Sequence, residues 1–205
     1  MIDHDNKVEL INKREVTKSN NRSLIINAGI KVFMEKGVSE ATVRDIIRFT
    51  GLASGTFYNY FSSKEEVLVA IVDDFALGIG QILRINKDKP KDFEEYLLIR
   101  ITIFLNYVIS RPELYLIMTN NQNIINNFSI ITPQVILEID FLKEEVKKGT
   151  EKGIFPEIDF ELFALVLQPV VDALAQDMML QKRPNVKECT NRCVNFLLNG
   201  LVENK

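Results

Sequence analysis

The sequence of 205 residues contains no apolar run that approaches the length of a membrane span, although 46% of its residues are hydrophobic. Its first residues carry charges and lack the apolar core of a secretory signal. Both absences argue against a membrane partner, and we expect a cytoplasmic protein. The apolar fraction is sufficient for a substantial core, in one large domain or in a small domain beside a larger one.

Groups that bind metals or perform catalysis are scarce. His4 is the only histidine and lies in a polar stretch. Cys189 and Cys193 share a helix face at their spacing, but no histidine or third cysteine accompanies them, so we expect buried or interfacial thiols and no metal site. Glu144 and Glu145 are adjacent on a predicted helix and do not face each other, so we expect them on a solvated face. Without a nucleophile–base set or a glycine-rich phosphate loop, we predict no cofactor and no enzymatic activity.

The stretch ATVRDIIRFTGLASGTFYNYFSSK, residues 41–64, has the pattern of two short helices joined by a turn. Thr42 is a good N-cap, and Asp45 in the first turn can hydrogen-bond back to it. Apolar residues follow at helical spacing. Gly51 suits a left-handed turn. The second helix should begin near Ala53 or Ser54 and run through Phe61. This pattern predicts a helix-turn-helix.

The residues left on the outside of the second helix suit a DNA groove. They are Ser54, Gly55, Thr56, Tyr58, Asn59 and Tyr60. Small and hydroxylated side chains at the start of such a helix can meet base edges and phosphates, and the tyrosines offer hydroxyl groups and ring faces. Lys64 begins the next helix, where its charge and free N–H groups can hold a phosphate. An ordinary helical hairpin with half-buried tyrosines is the alternative, which the spacing does not exclude.

The run RSLIINAGIKVFMEKGVSEATVRDIIRFTGLASGTFYNYFSSKEEVLVAI resembles the DNA-binding domain of the tetracycline-repressor (TetR) family. The GTFYNYF and SKEEVL portions carry most of the likeness. The resemblance implies that Thr42 and Arg44 touch the DNA backbone, that the six outward residues form the recognition surface, and that Lys64 anchors a phosphate. Ala53 and Ser54 depart from the family, which usually has a capping serine and then a basic residue there.

We expect an all-α fold of about nine helices in three segments: a flexible arm at 1–20, the helix-turn-helix domain at 21–64, and a larger helical domain at 65–205. The first helix should run from about Asn21 to Lys36, with Gly29 allowing another helix to approach closely. Residues 1–64 carry ten lysines and arginines against seven acidic residues, whereas 65–205 carry fifteen against twenty-one. The excess of positive charge therefore lies in the part predicted to bind DNA.

The resemblance further implies a homodimeric regulator, most often a repressor of a double-stranded DNA operator, whose second domain binds a small-molecule effector. We place a mostly apolar pocket among Phe75, Ile79, Tyr96, Arg100, Phe104, Tyr107, Tyr115, Met118 and Phe163. A helical core has the same composition, and Arg100 is either a surface residue or a pocket cation. A long helix from Lys64 to about Asn86 joins the domains, and Gly78 and Gly80 are candidate hinge positions.

The two last predicted helices are apolar on nearly every side, which predicts a four-helix interface with a second copy of the chain. We assign to it Phe163, Leu167, Val171, Leu174, Cys189, Cys193, Phe196 and Leu197. Burial within one chain is the alternative. For the protein as a whole, a helical protein-binding adaptor and a small-molecule enzyme in the second domain remain the competing functions.

Overall fold

The computed structural model describes residues 3–87, 89–121, 132–180 and 184–199, with side chains from Glu15 onward. Within these ranges the chain forms nine α-helices and no strand, which confirms the predicted all-α fold. They are α1 (Asp3–Glu40), α2 (Val43–Thr50), α3 (Ser54–Tyr58), α4 (Lys64–Asn86), α5 (Phe93–Ser110), α6 (Pro112–Asn120), α7 (Pro133–Glu151), α8 (Phe160–Leu180) and α9 (Val186–Asn199). The side chain of His4 lies outside the described part of the chain.

The chain divides into two compact units. The first contains Met1–Asp73 and Glu113–Ile130, and the second contains Asp74–Pro112 and Ile131–Lys205. Helix α4 therefore contributes to both units. The predicted domain boundary at residue 64 lies nine residues before this division, because it was placed at the end of the helix-turn-helix motif. The predicted domains also placed α6 with the second domain rather than the first unit.

Helix α1 begins at Asp3, well before the predicted start near Asn21. The sequence between these positions contains no glycine or proline, so nothing in the backbone interrupts the helix. Gly37 does interrupt it, with φ 76° and ψ 157°, close to the predicted end. A Cβ atom at Gly29 would lie 2.6 Å from Cγ1 of Val67, which confirms that another helix, α4, approaches α1 there.

The helix-turn-helix forms as the local sequence requires. Thr42 and Asp45 make a complete capping box, and Gly51 ends α2 in the left-handed conformation at φ 67°. Ala53 makes no side-chain cap, so α3 starts at Ser54. Helix α3 ends at Tyr58, earlier than the predicted Phe61, although Phe61 N–H still bonds to the Phe57 carbonyl in the turn that follows.

In the second unit, α9 packs against α5 and α8, and α8 also contacts α5. The inner face of α5 buries Leu97, Ile101, Leu105 and Val108, which recur at helical spacing. The hydroxyl groups of Thr102 and Thr190 hydrogen-bond across the α5–α9 contact at 3.3 Å.

Gly78 and Gly80 are close-packing positions of α4. A Cβ atom at Gly78 would meet the hydroxyl of Tyr107 on α5, and one at Gly80 would meet the carboxylate of Glu138 on α7. That carboxylate is held in place by Arg84, whose Nη2 donates to Oε1 at 3.0 Å. Helix α4 is continuous through both glycines, so their role here is to admit neighbouring side chains.

Helix α8 bears on the expectation that no apolar run approaches the length of a membrane span. Among the described helices, it alone is long and apolar enough by length and composition to cross a membrane, with a mean hydropathy of 1.3. Only 22% of that window is buried within the chain. One helix of this kind is weak evidence for a membrane span, because helices of soluble proteins also pass the test.

Candidate nucleic-acid interface and effector site

The most exposed aromatic side chain of the helix-turn-helix is Tyr58, at 60%. Its ring packs edge to face on Phe57, with centroids 5.4 Å apart, and Phe57 is fully buried. Ser54, Gly55 and Asn59 are also exposed. Buried Phe57 thus fixes α3 from inside while these four residues face solvent.

Thr56 and Tyr60 are half-buried rather than fully on the outside. The hydroxyl of Tyr60 accepts a hydrogen bond from Nδ2 of Asn21 on α1 at 3.3 Å. This bond connects the segment after α3 to α1. Tyr60 therefore has a structural role, and its hydroxyl can still donate one hydrogen bond outward.

The exposed side chain of Thr42 caps its own helix. Its hydroxyl donates to Oδ2 of Asp45 at 2.7 Å and accepts from the Asp45 N–H at 3.2 Å. Lys36 also donates to Asp45, at 2.8 Å. The hydrogen bond from Lys36 has the largest effect, and together with that from Thr42 it lowers the pKa of Asp45 to about 2. Arg44 is exposed beside this group. Of the two predicted backbone contacts, Thr42 and Arg44, only Arg44 carries a charge, and this charge faces solvent.

Lys64 is placed differently from the predicted phosphate anchor. Its ammonium donates to three carbonyl oxygens, those of Val38, Ser39 and Ala41, at 2.8 Å each. An ammonium has three N–H donors, so all three are occupied within the protein. Lys64 thus holds the single turn after Gly37 against the start of α4, and the assignment of this side chain as a phosphate anchor is not supported.

The first turn of α4 is also occupied by a carboxylate of the protein. Glu66 accepts from the Ser62 N–H at 2.7 Å and from the Ser62 hydroxyl at 2.6 Å, and these bonds lower its pKa. The hydroxyl of Ser63 accepts from the Glu66 N–H at 3.3 Å. Negative charge is already present where a phosphate was expected.

Residues 25–71 match the family model described as "Bacterial regulatory proteins, tetR family". This segment contains α2, α3 and the exposed residues around Tyr58. This match identifies residues 25–71 as a TetR-type DNA-binding segment. A DNA-binding role of this segment follows from the match.

Similar proteins agree with this identification. The uncharacterized HTH-type transcriptional regulator YvdT of Bacillus subtilis is 46% identical over 50 residues, a match that spans only 24% of this chain and 26% of YvdT. The fatty acid degradation regulator FadR of Bacillus halodurans superposes with a TM-score of 0.74 at 24% identity, over 90% of this chain and 97% of that structure.

FadR of Bacillus subtilis in complex with stearoyl-CoA gives a TM-score of 0.76 at 20% identity, over 88% and 99% of the two chains. At these identities the two structures show a shared fold. The named relatives are transcriptional regulators, which agrees with the expectation that this chain is not an enzyme.

The residues predicted to line an effector pocket are divided between the two units. Tyr115 and Met118 belong to the first unit, and the other seven belong to the second. Phe75 and Tyr107 form one ring pair, with centroids 5.0 Å apart. Tyr96 and Phe163 belong to another aromatic cluster through Phe93, whose ring centroid lies 6.1 Å and 5.7 Å from theirs. Ile79 and Phe104 are half-buried.

Arg100 and Tyr96 line a small cleft that is partly open to solvent and has room for about one water molecule. Nη1 of Arg100 lies 3.1 Å from Oε2 of Glu145, and both side chains are largely buried, at 16% and 12% exposed. The Tyr96 hydroxyl lies 3.4 Å from both groups. Burial raises the pKa of Tyr96 to about 12 and also raises the pKa of Glu145. The solvated face predicted for Glu144 and Glu145 is wrong for Glu145.

The sequence contains a weak signal for Glu145. It lies three residues after buried Leu142 and directly before buried Val146, at the edge of the apolar face of α7. Glu144 is exposed and pairs with Lys148 at 3.4 Å. Two neighbouring carboxylates thus have different surroundings because successive helix residues point about 100° apart.

The residues predicted for a dimer interface are divided between core and surface. Leu167, Val171, Cys189 and Cys193 are buried in the chain's own core, so they are not available to a second copy. Burial raises the pKa of both thiols, that of Cys193 to about 11. Phe163, Leu174, Phe196 and Leu197 are half-buried.

The most exposed apolar face of α8 lies opposite this core. Leu162, Leu165 and Leu180 are exposed at 56%, 70% and 87%, and Pro169 and Ala173 lie between them on the same side. At 3.6 residues per turn these five positions form one stripe. The sequence predicted an apolar helix on nearly every side but did not show which side the chain itself covers.

Proposed function

We propose that this chain is a ligand-responsive repressor of the TetR family that binds a palindromic operator as a homodimer in the cytoplasm. The observation that carries the proposal is the exposed surface of α3, with Tyr58 at its centre, inside the segment that matches the family model. Ser54, Gly55 and Asn59 extend this surface and Thr56 borders it. Arg44 supplies positive charge next to it for the DNA backbone.

Phosphate contacts of the DNA backbone then come from Arg44 and from hydroxyl and backbone N–H groups rather than from Lys64. Position 54 of the recognition surface is a serine, whereas the TetR family usually has a basic residue there. This surface therefore offers no arginine or lysine contact to guanine from that position. Base readout by this surface therefore rests on hydroxyl, amide and aromatic side chains, which include contacts to thymine methyl groups.

Dimerisation uses the exposed stripe of α8, which consists of Leu162, Leu165, Pro169, Ala173 and Leu180. A stripe of this length leaves several large apolar side chains in water, and a second copy of the same helix would cover them. Two-fold symmetry of the protein would match a palindromic operator with half-sites about one helical turn apart.

The effector acts by population shift, since it can change operator affinity only by its differential affinity for the two states. Helix α4 belongs to both units and is the connection through which a ligand in the second unit can act. FadR of Bacillus subtilis was solved with stearoyl-CoA, which favours an amphipathic effector with a long apolar part.

A gel shift with the DNA upstream of the chain's own gene tests the regulator proposal. We expect a specific complex that the Tyr58→Ala variant forms at least tenfold more weakly at unchanged thermal stability. Ile85→Ala serves as the control, since Ile85 is 78% exposed on α4 in the second unit. Equal operator binding by Tyr58→Ala and the parent would remove the main support for the recognition surface.

Sedimentation velocity tests the dimer. Leu165→Glu places a charge in the middle of the stripe and should yield monomer at micromolar concentration. Leu137→Glu is a matched control, because Leu137 is exposed at 56% on α7. A parent protein that sediments as a monomer contradicts the dimer proposal.

A further inference from the structure

The cleft of the second unit combines apolar walls with an excess of positive charge. Its lining includes Leu83 of α4, Lys87 directly after α4, Tyr96, Ile99 and Arg100 of α5, and Glu145 of α7. Two cations face one carboxylate within this lining. Such a site suits a molecule that has an anionic group next to an apolar chain.

Arg100 has donors to spare for an incoming anion. Among the described residues, the hydrogen bonds of its guanidinium all leave from Nη1, to Glu145 at 3.1 Å and to the Tyr96 hydroxyl at 3.4 Å. A guanidinium carries five N–H donors that match the two oxygens of a carboxylate or phosphate. The cleft is partly open to solvent and has room for about one water molecule, so a headgroup reaches the guanidinium by taking the place of the Glu145 carboxylate.

We propose that this cleft binds the anionic headgroup of an amphipathic effector on Arg100, in competition with Glu145. The proposal rests on the ligand-responsive function given above and names the chemistry of its ligand. Carboxylate and phosphate share the recognition chemistry, and the apolar residues Leu83 and Ile99 contact the first methylene groups of the ligand.

Competition follows from the number of charges. In the ligand-free cleft, Glu145 neutralises Arg100, and Lys87 lies at the rim, where its charge also acts on Glu145. A bound headgroup brings a second anion next to the guanidinium, so it shares or displaces Glu145. Because burial already raises the pKa of Glu145, this carboxyl takes up a proton more readily than an ordinary glutamate when it loses Arg100.

The exchange has a consequence for helix packing. The Arg100–Glu145 pair joins α5 to α7, and the same cleft is bordered by the last turns of α4. A ligand that replaces Glu145 as the partner of Arg100 removes the ion pair between α5 and α7, while it adds contacts to α4. This gives the effector a differential interaction with two arrangements of these helices, which allosteric release requires.

The competing explanation is that the ion pair has a structural role alone. The effect of replacing Glu145 on anion binding distinguishes the two explanations. If Arg100 and Glu145 only hold α5 to α7, then removing either charge should weaken the site equally. If Glu145 competes with a ligand, then Glu145→Gln should strengthen anion binding while Arg100→Gln abolishes it. The opposite signs make the test specific.

The experiment uses the full chain without DNA and the probes hexanoate, hexyl phosphate and 1-hexanol, with binding followed by ligand-observed NMR titration. We expect one or both anions to bind at least tenfold more tightly than hexanol. Arg100→Gln should weaken anion binding at least tenfold, and Glu145→Gln should strengthen it several-fold. Lys147→Gln, an exposed change on α7, should leave it unchanged.

Arg100→Lys keeps the positive charge and serves if Arg100→Gln fails to fold. It should retain part of the affinity, since a lysine lacks the paired donors of arginine. Binding of only one anion identifies the headgroup and supports the proposal. Equal binding of hexanol, no binding of either anion, or weaker binding by Glu145→Gln overturns it. Anions that bind but do not release operator DNA would leave the site valid and contradict the regulatory function.

Discussion

Replacing Lys64 by methionine separates a structural role from DNA contact. Methionine keeps an apolar stem of similar length and removes the ammonium that donates to Val38, Ser39 and Ala41. Each intramolecular hydrogen bond contributes about 0.5–1.5 kcal/mol net, and water can reach the carbonyl groups near the surface once the ammonium is gone. We expect a loss of about 2 kcal/mol in the free energy of unfolding.

A loss of this size lowers Tm by about 4–8 °C in a chain of this length, since 1 kcal/mol corresponds to about 2–4 °C. Urea denaturation monitored by circular dichroism measures the free energy itself. Lys31→Met is the control, because Lys31 is an exposed lysine of α1. It should leave stability within about 0.5 kcal/mol.

DNA binding supplies the independent readout. Each phosphate that a lysine neutralises contributes about 0.9 to the slope of log affinity against log salt. A lysine whose donors are occupied within the protein contributes nothing, so Lys64→Met should preserve the slope at a temperature where both proteins are folded. A slope smaller by about one unit, with unchanged stability, would refute the structural role and restore the phosphate anchor.

Three further changes test other parts of the molecule. Thr42→Val removes the capping hydroxyl and should cost about 1 kcal/mol in urea denaturation, whereas Thr42→Ser should cost less. Gly78→Ala pushes a methyl group into the Tyr107 hydroxyl and should lower the free energy of unfolding by about 1–3 kcal/mol; a gain in stability would show that α4 and α5 separate easily. Because the pKa of Asp45 is lowered to about 2 from 3.8, its contribution to stability is present above about pH 4 and lost as pH falls through 2. Asp45→Asn should flatten the pH dependence of Tm in that window, and an unchanged dependence would contradict the Lys36–Asp45–Thr42 hydrogen bonds.

The sequence predicted most of the local structure, since caps, turns and periodicity are short-range signals. Thr42 and Gly51 bound α2 as expected. The start of α1 was missed because polar composition suggested an arm, while the lack of glycine and proline permitted a helix. The helix propensities of single residues do not decide whether such a polar stretch forms a flexible arm or a helix.

The candidate sites were predicted less completely, because partners distant in sequence decide the role of a charged or apolar side chain. Tyr58 is exposed as its position on α3 implied, but which face of α8 is covered depends on α5 and α9. The pocket residues were chosen by composition alone. Composition does not distinguish a ligand site from the aromatic clusters that Phe75 and Phe93 form.

Lys64 and Glu145 show how the same limitation acts on charge. Lys64 meets carbonyl groups 23 to 26 residues earlier in the chain, and Glu145 meets Arg100 at a separation of 45. In each case a group expected to face solvent or DNA serves another group of the protein, and in each case that partner determines what the charge can still bind. Lys64 has all its donors occupied and supports the fold of the helix-turn-helix. Arg100 keeps donors beyond its bond to Glu145, and this difference makes the second unit's ion pair, rather than Lys64, the better candidate for binding an anion.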